Sequence, residues 1–239
     1  MTKFEYEVVS KYGISIDTPG VFKPTGTTWE LLNAVSEIVE PEMRVLDLGC
    51  GCGLLGLELL ERNEGHLNMF MSDVSPKAAR ATETNAILTP YNTKVSVKTG
   101  SLLEPWADLQ FDLIINDISA VVPEIGLHYG WFQSAPNESG DDGSQLAVNI
   151  IDSAADFLTS EKSVLAMPLI SLSNTSRQIS HLEKNFRNVV FRKSRTWPLG
   201  TMDDNLLSLI NKYPFTTIGK LGGIATFTTQ IVFASDPVL

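Results

Sequence analysis

The chain has 239 residues, with 18 Lys+Arg against 28 Asp+Glu and a formal net charge of −10. That length suits one large α/β domain with a substantial core, and the acidic balance repels polyanions at long range, which disfavours nucleic acid as a partner. No stretch approaches the ~18 apolar residues that a membrane span needs, and Met1–Ser10 lacks the apolar core of a signal peptide, so the cytoplasm is the expected compartment.

In chain order, the first helix is expected over Trp29–Val39, where Leu31, Leu32, Val35, Ile38 and Val39 share a face and Pro41 follows. Strands are expected at Met43–Leu48, Asn68–Ser72, Lys94–Lys98, Phe111–Asn116, Ser163–Pro168 and Asn188–Ser194, with a last one within Gly223–Ala234. Helices fit between them at Leu54–Arg62, from Ser75-Pro76 to Asn85, at Gln145–Leu158, and around Ile179, Leu182 and Phe186. This alternation predicts a doubly wound, mostly parallel seven-stranded sheet with helices on both faces. A segment over 1–40 leads into a domain over 41–239. Two inserts, Ser119–Gly143 and Pro198–Gly223, break the rhythm; inserts on such sheets commonly shape substrate pockets. A short helix is expected at Leu206–Asn211.

The strongest local signal is Val45-Leu46-Asp47-Leu48-Gly49-Cys50-Gly51-Cys52-Gly53, a strand running into a glycine-dense turn that opens a helix. Gly51-Cys52-Gly53-Leu54-Leu55-Gly56 also matches the dinucleotide fingerprint, which raises a nicotinamide-dependent oxidoreductase as an alternative. Asp47 argues against it: a carboxylate there opposes a diphosphate and suits a cationic ligand end. Asp73, closing the next strand, can accept from two ribose hydroxyls with either ligand. Cys50 and Cys52 are too close for an ordinary disulfide and too few for a zinc site, so no metal is expected.

Together these motifs resemble the class I S-adenosylmethionine-dependent methyltransferases. Asp-Leu-Gly-Cys-Gly-Cys-Gly is similar to their first motif. Asp73-Val74-Ser75-Pro76-Lys77-Ala78 with Ala81 and Asn85, and the leading loop Gly20–Thr28, resemble the release-factor glutamine methyltransferase and methyltransferase small domain families. The resemblance implies S-adenosylmethionine as cofactor, with Asp47, Gly49, Gly51, Gly53, Asp73, Val74, Ser101, Leu102, Asn116, Phe22 and Thr27 around it. Two departures stand out. Ser101 replaces the family's adenine-contacting acid, and Asn116-Asp117-Ile118-Ser119 replaces Asn-Pro-Pro-aromatic. The ribosomal-protein L11 methyltransferases similarly keep the Asn without the prolines.

Asn116 can orient an acceptor N–H, or simply form a strand-end turn. Asp117 can act as a base or cap a helix. His128, within the aromatic cluster His128, Tyr129, Trp131 and Phe132, can take a proton, or the cluster can pack a lid. Glu30 is placed to close the cofactor site, and Trp106 and Trp197 to pack or line the cleft. Arg187, Arg192, Lys193 and Arg195 read as a solvated strand end. The expected acceptor is a protein or a small molecule, with a non-catalytic interaction module on the same fold as a further alternative.

Overall fold

The computed structural model describes residues 5–131 and 138–238; Phe132 lies outside them. In chain order the elements are α1 (Glu7–Tyr12), α2 (Gly26–Ser36), β1 (Arg44–Leu48), α3 (Leu54–Arg62), β2 (Asn68–Asp73), α4 (Pro76–Ile87), β3 (Val95–Thr99), β4 (Leu113–Asn116) and α5 (Pro123–His128). They continue with α6 (Gln145–Ser153), β5 (Val164–Ile170), α7 (Thr175–Asn185), β6 (Phe186–Phe191), β7 (Arg195–Thr201), α8 (Asp204–Asn211), β8 (Gly219–Leu221) and β9 (Ile224–Pro237).

The sheet runs β3-β2-β1-β4-β5-β9-β6, parallel from β3 to β5 and antiparallel from β9 outward. The chain order reverses between β1 and β4, the switch point at which doubly wound sheets bind ligands. Strand residues alternate between two cores because side chains alternate across a pleat. Val45, Met69, Met71 and Ile115 face α2, α3 and α4, while Leu46, Leu48, Ile114 and Met167 face α6 and α7.

The doubly wound α/β architecture is as the alternation predicts, but the sheet holds nine strands among the described residues. The two extra strands come from the second expected insert. β9 is fourteen residues long; one half pairs with β5 and β6, and the other with β7 and β8. Pro198 and Gly200 obscure β7 in the sequence, and a register shift there lets the strand accommodate them. The remaining differences are small. α2 begins at Gly26, under the Thr25 cap, rather than at Trp29. α6 ends at Ser153 and continues as a tight 3₁₀ turn, and β6 begins at Phe186, directly after α7.

The first insert folds onto the second. Val121, Val122 and Ile125 pack with Leu199, Leu206, Leu209 and Ala225 in a third core. Tyr129 stacks on Trp131, which tilts against Phe227. No helix of the described residues is long and apolar enough to cross a membrane.

A buried amide ties the N-terminal segment to the glycine turn. Asn85, 2% exposed, accepts from the Ser15 N–H and donates to the carbonyls of Ser15 and Cys52, at 2.9, 2.8 and 2.8 Å. Asn85→Ala leaves three backbone groups unmatched. The expected cost is about 2–4 kcal/mol, read in calorimetry as a fall in Tm of roughly 5–15 °C; an unchanged Tm would show that the tie carries no stability.

Candidate active site

Parallel registry brings four strand ends to one edge. Leu48 lies opposite Ser72 and Asn116, and Asp73 opposite Thr99. Gly100, Asp73, Gly49 and Asp117 therefore follow one another along the carboxyl edge of the sheet.

The glycine turn folds over the end of β2, where the Ser72 carbonyl accepts from the N–H groups of Gly49 and Cys50. Gly49, Gly51 and Gly53 have φ of 73, 58 and 81°, a region that residues with a Cβ rarely adopt. At Gly49 a Cβ would also stand 2.7 Å from the Ile118 side chain. Both cysteine thiols are buried in this turn; burial pushes Cys52 up to about 11, so it stays a neutral packing group.

Asp47 shares a sheet face with Val45, where strand alternation calls for an apolar residue. It is 1% exposed. One oxygen accepts from the Gly56 N–H at 3.2 Å, and Oδ1 has no partner among the described residues. Burial, and then the charge of Asp117, push its carboxyl up to about 8. Asp117, half-buried, is pushed up to about 7 by burial, opposed by a hydrogen bond from the Thr28 hydroxyl. Two carboxyls raised by burial, the second raising the first further, beside a buried oxygen with no partner among the described residues, form a site suited to a cation.

Asp73 is satisfied differently. Gly51 N–H donates to one oxygen and Ser75 N–H to the other, at 3.0 and 2.8 Å. Each oxygen can still accept a further hydrogen bond. Burial raises this carboxyl, opposed by those two bonds. Beyond it, Val74 is 53% exposed, and Ser101 is exposed beside half-buried Leu102. Leu102 has φ 46°, strained backbone for a branched residue. Val74 and Leu102 thus stand at neighbouring strand ends as apolar walls, each directly after a polar residue.

The leading loop crosses this edge, with the Phe22 carbonyl 3.6 Å from where a Gly51 Cβ would lie. Thr28, absent from the sequence-based site, joins the loop to the strand-end motif. Its hydroxyl accepts from the Thr25 N–H at 3.2 Å and donates to Asp117. The capping spacing Thr25-x-x-Thr28 is the signal that places Thr28 in the first turn of a helix.

Other expected residues sit elsewhere. The Thr27 hydroxyl pairs with Thr229 at 3.1 Å, so it faces β9. Glu30 pairs with Arg195 at 2.9 Å instead of closing the cofactor site. Trp106 is buried in the core on Phe70 and Phe111, with its indole N–H on Ser72. Trp197 lines the loop: a Cβ on Gly26 would lie 2.4 Å from its ring, and its indole N–H donates to Thr229. His128 is exposed at the end of α5, edge-on to Tyr129, and makes no hydrogen bond to the described residues; its neighbours Tyr129 and Trp131 stack on one another and pack against Phe227. Asn116 is 2% exposed, and its side-chain oxygen accepts from the Ile118 N–H at 3.2 Å. It is therefore a turn former, whatever else it does. Arg187, Arg192 and Arg195 are matched by Asp236, Glu37 and Glu30, so most of the basic cluster is neutralised.

The architecture and strand-end site define a Rossmann-like methyltransferase fold. Over 90% of this chain and 83% of its own, the structure of a ribosomal protein L11 methylase from Lactobacillus delbrueckii subsp. bulgaricus superposes with a TM-score of 0.53 at 18% identity. Residues 16–117 match the methyltransferase small domain family, as the motifs imply. A tRNA1(Val) (adenine(37)-N6)-methyltransferase from an Enterobacter species is 34% identical over 38% of this chain and 38% of its own. A release factor glutamine methyltransferase from Aquifex aeolicus is 33% identical over 41% of this chain and 35% of its own. The chain thus spans well under half the length of these two relatives. The family match ends at Asp117, so the lid and the β7–β9 wall lie outside it.

The paired carboxyls set a pH dependence. Folded-state values raised above the ordinary carboxylate range contribute stability that is present at low pH and lost as pH rises through the folded values. Carboxyls held low, such as Asp142 and Glu61, act only below their ordinary values. The ligand-free protein should therefore lose stability between pH 5 and pH 8, as Asp117 and Asp47 ionise near 7 and 8. Denaturant titrations of the wild type and Asp47→Asn check this. The variant, whose amide oxygen can still accept from Gly56, should show a flatter slope; equal slopes would contradict the assignment to Asp47.

Proposed function

We propose that the chain is an S-adenosylmethionine-dependent methyltransferase acting on a nitrogen of a protein or small molecule. The observation that carries this reading is the unmatched buried oxygen of Asp47, beside the glycine turn and the Asp117 carboxyl. A diphosphate at this edge would meet two carboxylates, whereas an amino-acid ammonium completes them. The residues therefore fit the cofactor: Asp47 holds its ammonium, the Gly49–Gly53 turn passes beside its methionine portion, and Asp73 accepts from its ribose. Val74 and Leu102 flank its adenine, with Ser101 at the ring edge, and Phe22 belongs to the loop that covers it.

When bound, the cofactor supplies a methyl group on a cationic sulfur. The chain then has to hold a nitrogen lone pair in line with that methyl and exclude water, and positioning of this kind is a large rate factor. Asn116 holds the turn at the end of β4 and can orient the acceptor N–H. Asp117, which replaces a family proline, is placed to take the proton released when the new N–C bond forms, with Thr28 fixing the carboxylate. A base titrating near 7 is suited to that task. A carboxylate here also favours an amine over a planar amide, because it can accept the proton that a charged amine must lose before its nitrogen has a lone pair to attack. The −10 charge and the neutralised arginines favour a protein or small-molecule acceptor over tRNA.

Isothermal calorimetry tests the cofactor assignment. S-adenosylmethionine should bind saturably while NAD gives no heat, and Asp73→Ala should weaken binding by about 1.5–3 kcal/mol; the reverse ligand preference would overturn the proposal. Methyl transfer from tritiated cofactor into cell-extract components tests the chemistry. Asn116→Ala should cut turnover roughly 100-fold while cofactor affinity holds. Asp117→Asn should remove a rise in rate centred near pH 7. Normal turnover in both variants would make the pair structural only.

A further inference from the structure

A cavity of about 260 Å³ opens on the outer side of the leading loop, lined by Ser15, Thr18, Lys77, Arg80, Thr84 and Asn85, with Ala81 at its wall. Lys77, Arg80, Ala81 and Thr84 share one face of α4, at the spacing that aligns helical side chains. The opposite wall is the segment between α1 and α2, where the two Asn85 bonds to Ser15 fix the backbone. Lys77 reaches over Gly20, its Nζ 2.8 Å from where a Cβ would lie. The cavity is thus bounded by a clamped strand of loop and a rigid helix.

Several cations elsewhere pair with carboxylates, as at Lys11–Glu61, Arg177–Asp142, Arg187–Asp236 and Arg195–Glu30. Others, such as Lys162, Lys184 and Lys220, have no ion pair among the described residues; what distinguishes Lys77 and Arg80 is that they line one cavity. Lys77 and Arg80 have no carboxylate partner among the described residues. Of the carboxylates close in sequence, Asp17 is taken up by Lys23 at 2.8 Å, and Glu83, three residues beyond Arg80 on α4, does not line the cavity. In a chain of net charge −10, two cations lining one open cavity make it locally positive. Ser15 and Thr18 hydroxyls add donors between them, and Ala81 supplies a patch for an apolar stem.

We propose that this cavity binds a phosphate monoester carried by a small molecule. A dianion with three terminal oxygens matches one ammonium, one guanidinium fork and two hydroxyl donors. A nucleic-acid backbone fits less well: its phosphates carry one charge each and need an extended basic track, and the arginines of the β6–β7 edge are neutralised. The site is separate from the Asp47 and Asp73 carboxyls, and the proposal stands or falls independently of the methyltransferase reading.

The test is a titration of the ¹⁵N-labelled full chain with inorganic phosphate, at ionic strength held constant with chloride. Saturable amide shifts should appear at Ser15, Thr18, Arg80 and Thr84, with a midpoint on the order of 1–10 mM. Lys77→Gln with Arg80→Gln should weaken binding at least tenfold, and Lys77→Arg should retain it. An unchanged Tm and an otherwise unchanged amide spectrum show that the fold of the Gln variant is intact. Shifts that never saturate, that centre on Gly49–Asp73, or that persist in the Gln variant would overturn the proposal.

Discussion

A carboxyl group placed where the strand pattern calls for an apolar side chain governs this site. Asp47 lies on the same face of β1 as Val45, against α3, yet among the described residues only one of its oxygens has a partner. An ionised carboxylate there is costly without a counter-charge, so burial holds it near 8 and leaves it mostly neutral at neutral pH. The neighbouring Asp117 adds to the same cost. This arrangement is unfavourable for the free protein and favourable for any ligand that brings positive charge to the carboxyl edge.

The structure around that edge has two origins. The proposed cofactor side is built from β1, β2 and the turn between β1 and α3, all within the family match over residues 16–117. The proposed acceptor side is braced by elements beyond it. Thr27 and Trp197 both bond Thr229 on β9, Trp197 lies against Gly26, and Arg195 pairs with Glu30. These contacts fasten the start of α2 to the β7–β9 hairpins, and Thr28, one residue past Thr27, carries that anchorage to Asp117. Strands beyond the shared domain thereby position the residue proposed to receive the proton.

The central sheet was legible because its strands are apolar runs separated by strong punctuation: the glycine turn after Leu48, Ser75-Pro76 before α4, and Pro41 after α2. The outer strands were not. β7 contains Pro198 and Gly200, which argue against a strand until the bulge is seen, and β8 has three exposed residues with no pattern to read. Within the site, the alignment of Asp47, Asp73 and Asn116 along the strand ends followed from spacing alone. Thr28 was hidden by the expectation that the helix starts at Trp29, and composition alone does not show that the His128 ring is exposed at the end of α5. The arginine cluster looked like one patch because its partners Glu30, Glu37 and Asp236 are distant in sequence.

The most direct measurement is the ¹³C chemical shift of the Asp47 carboxyl at pH 7, assigned by comparison with Asp47→Asn, with and without saturating S-adenosylmethionine. A carboxyl titrating near 8 should show the protonated shift in the free protein and move to the ionised shift once the ligand's ammonium is beside it. An Asp47 already ionised in the free protein would contradict the account.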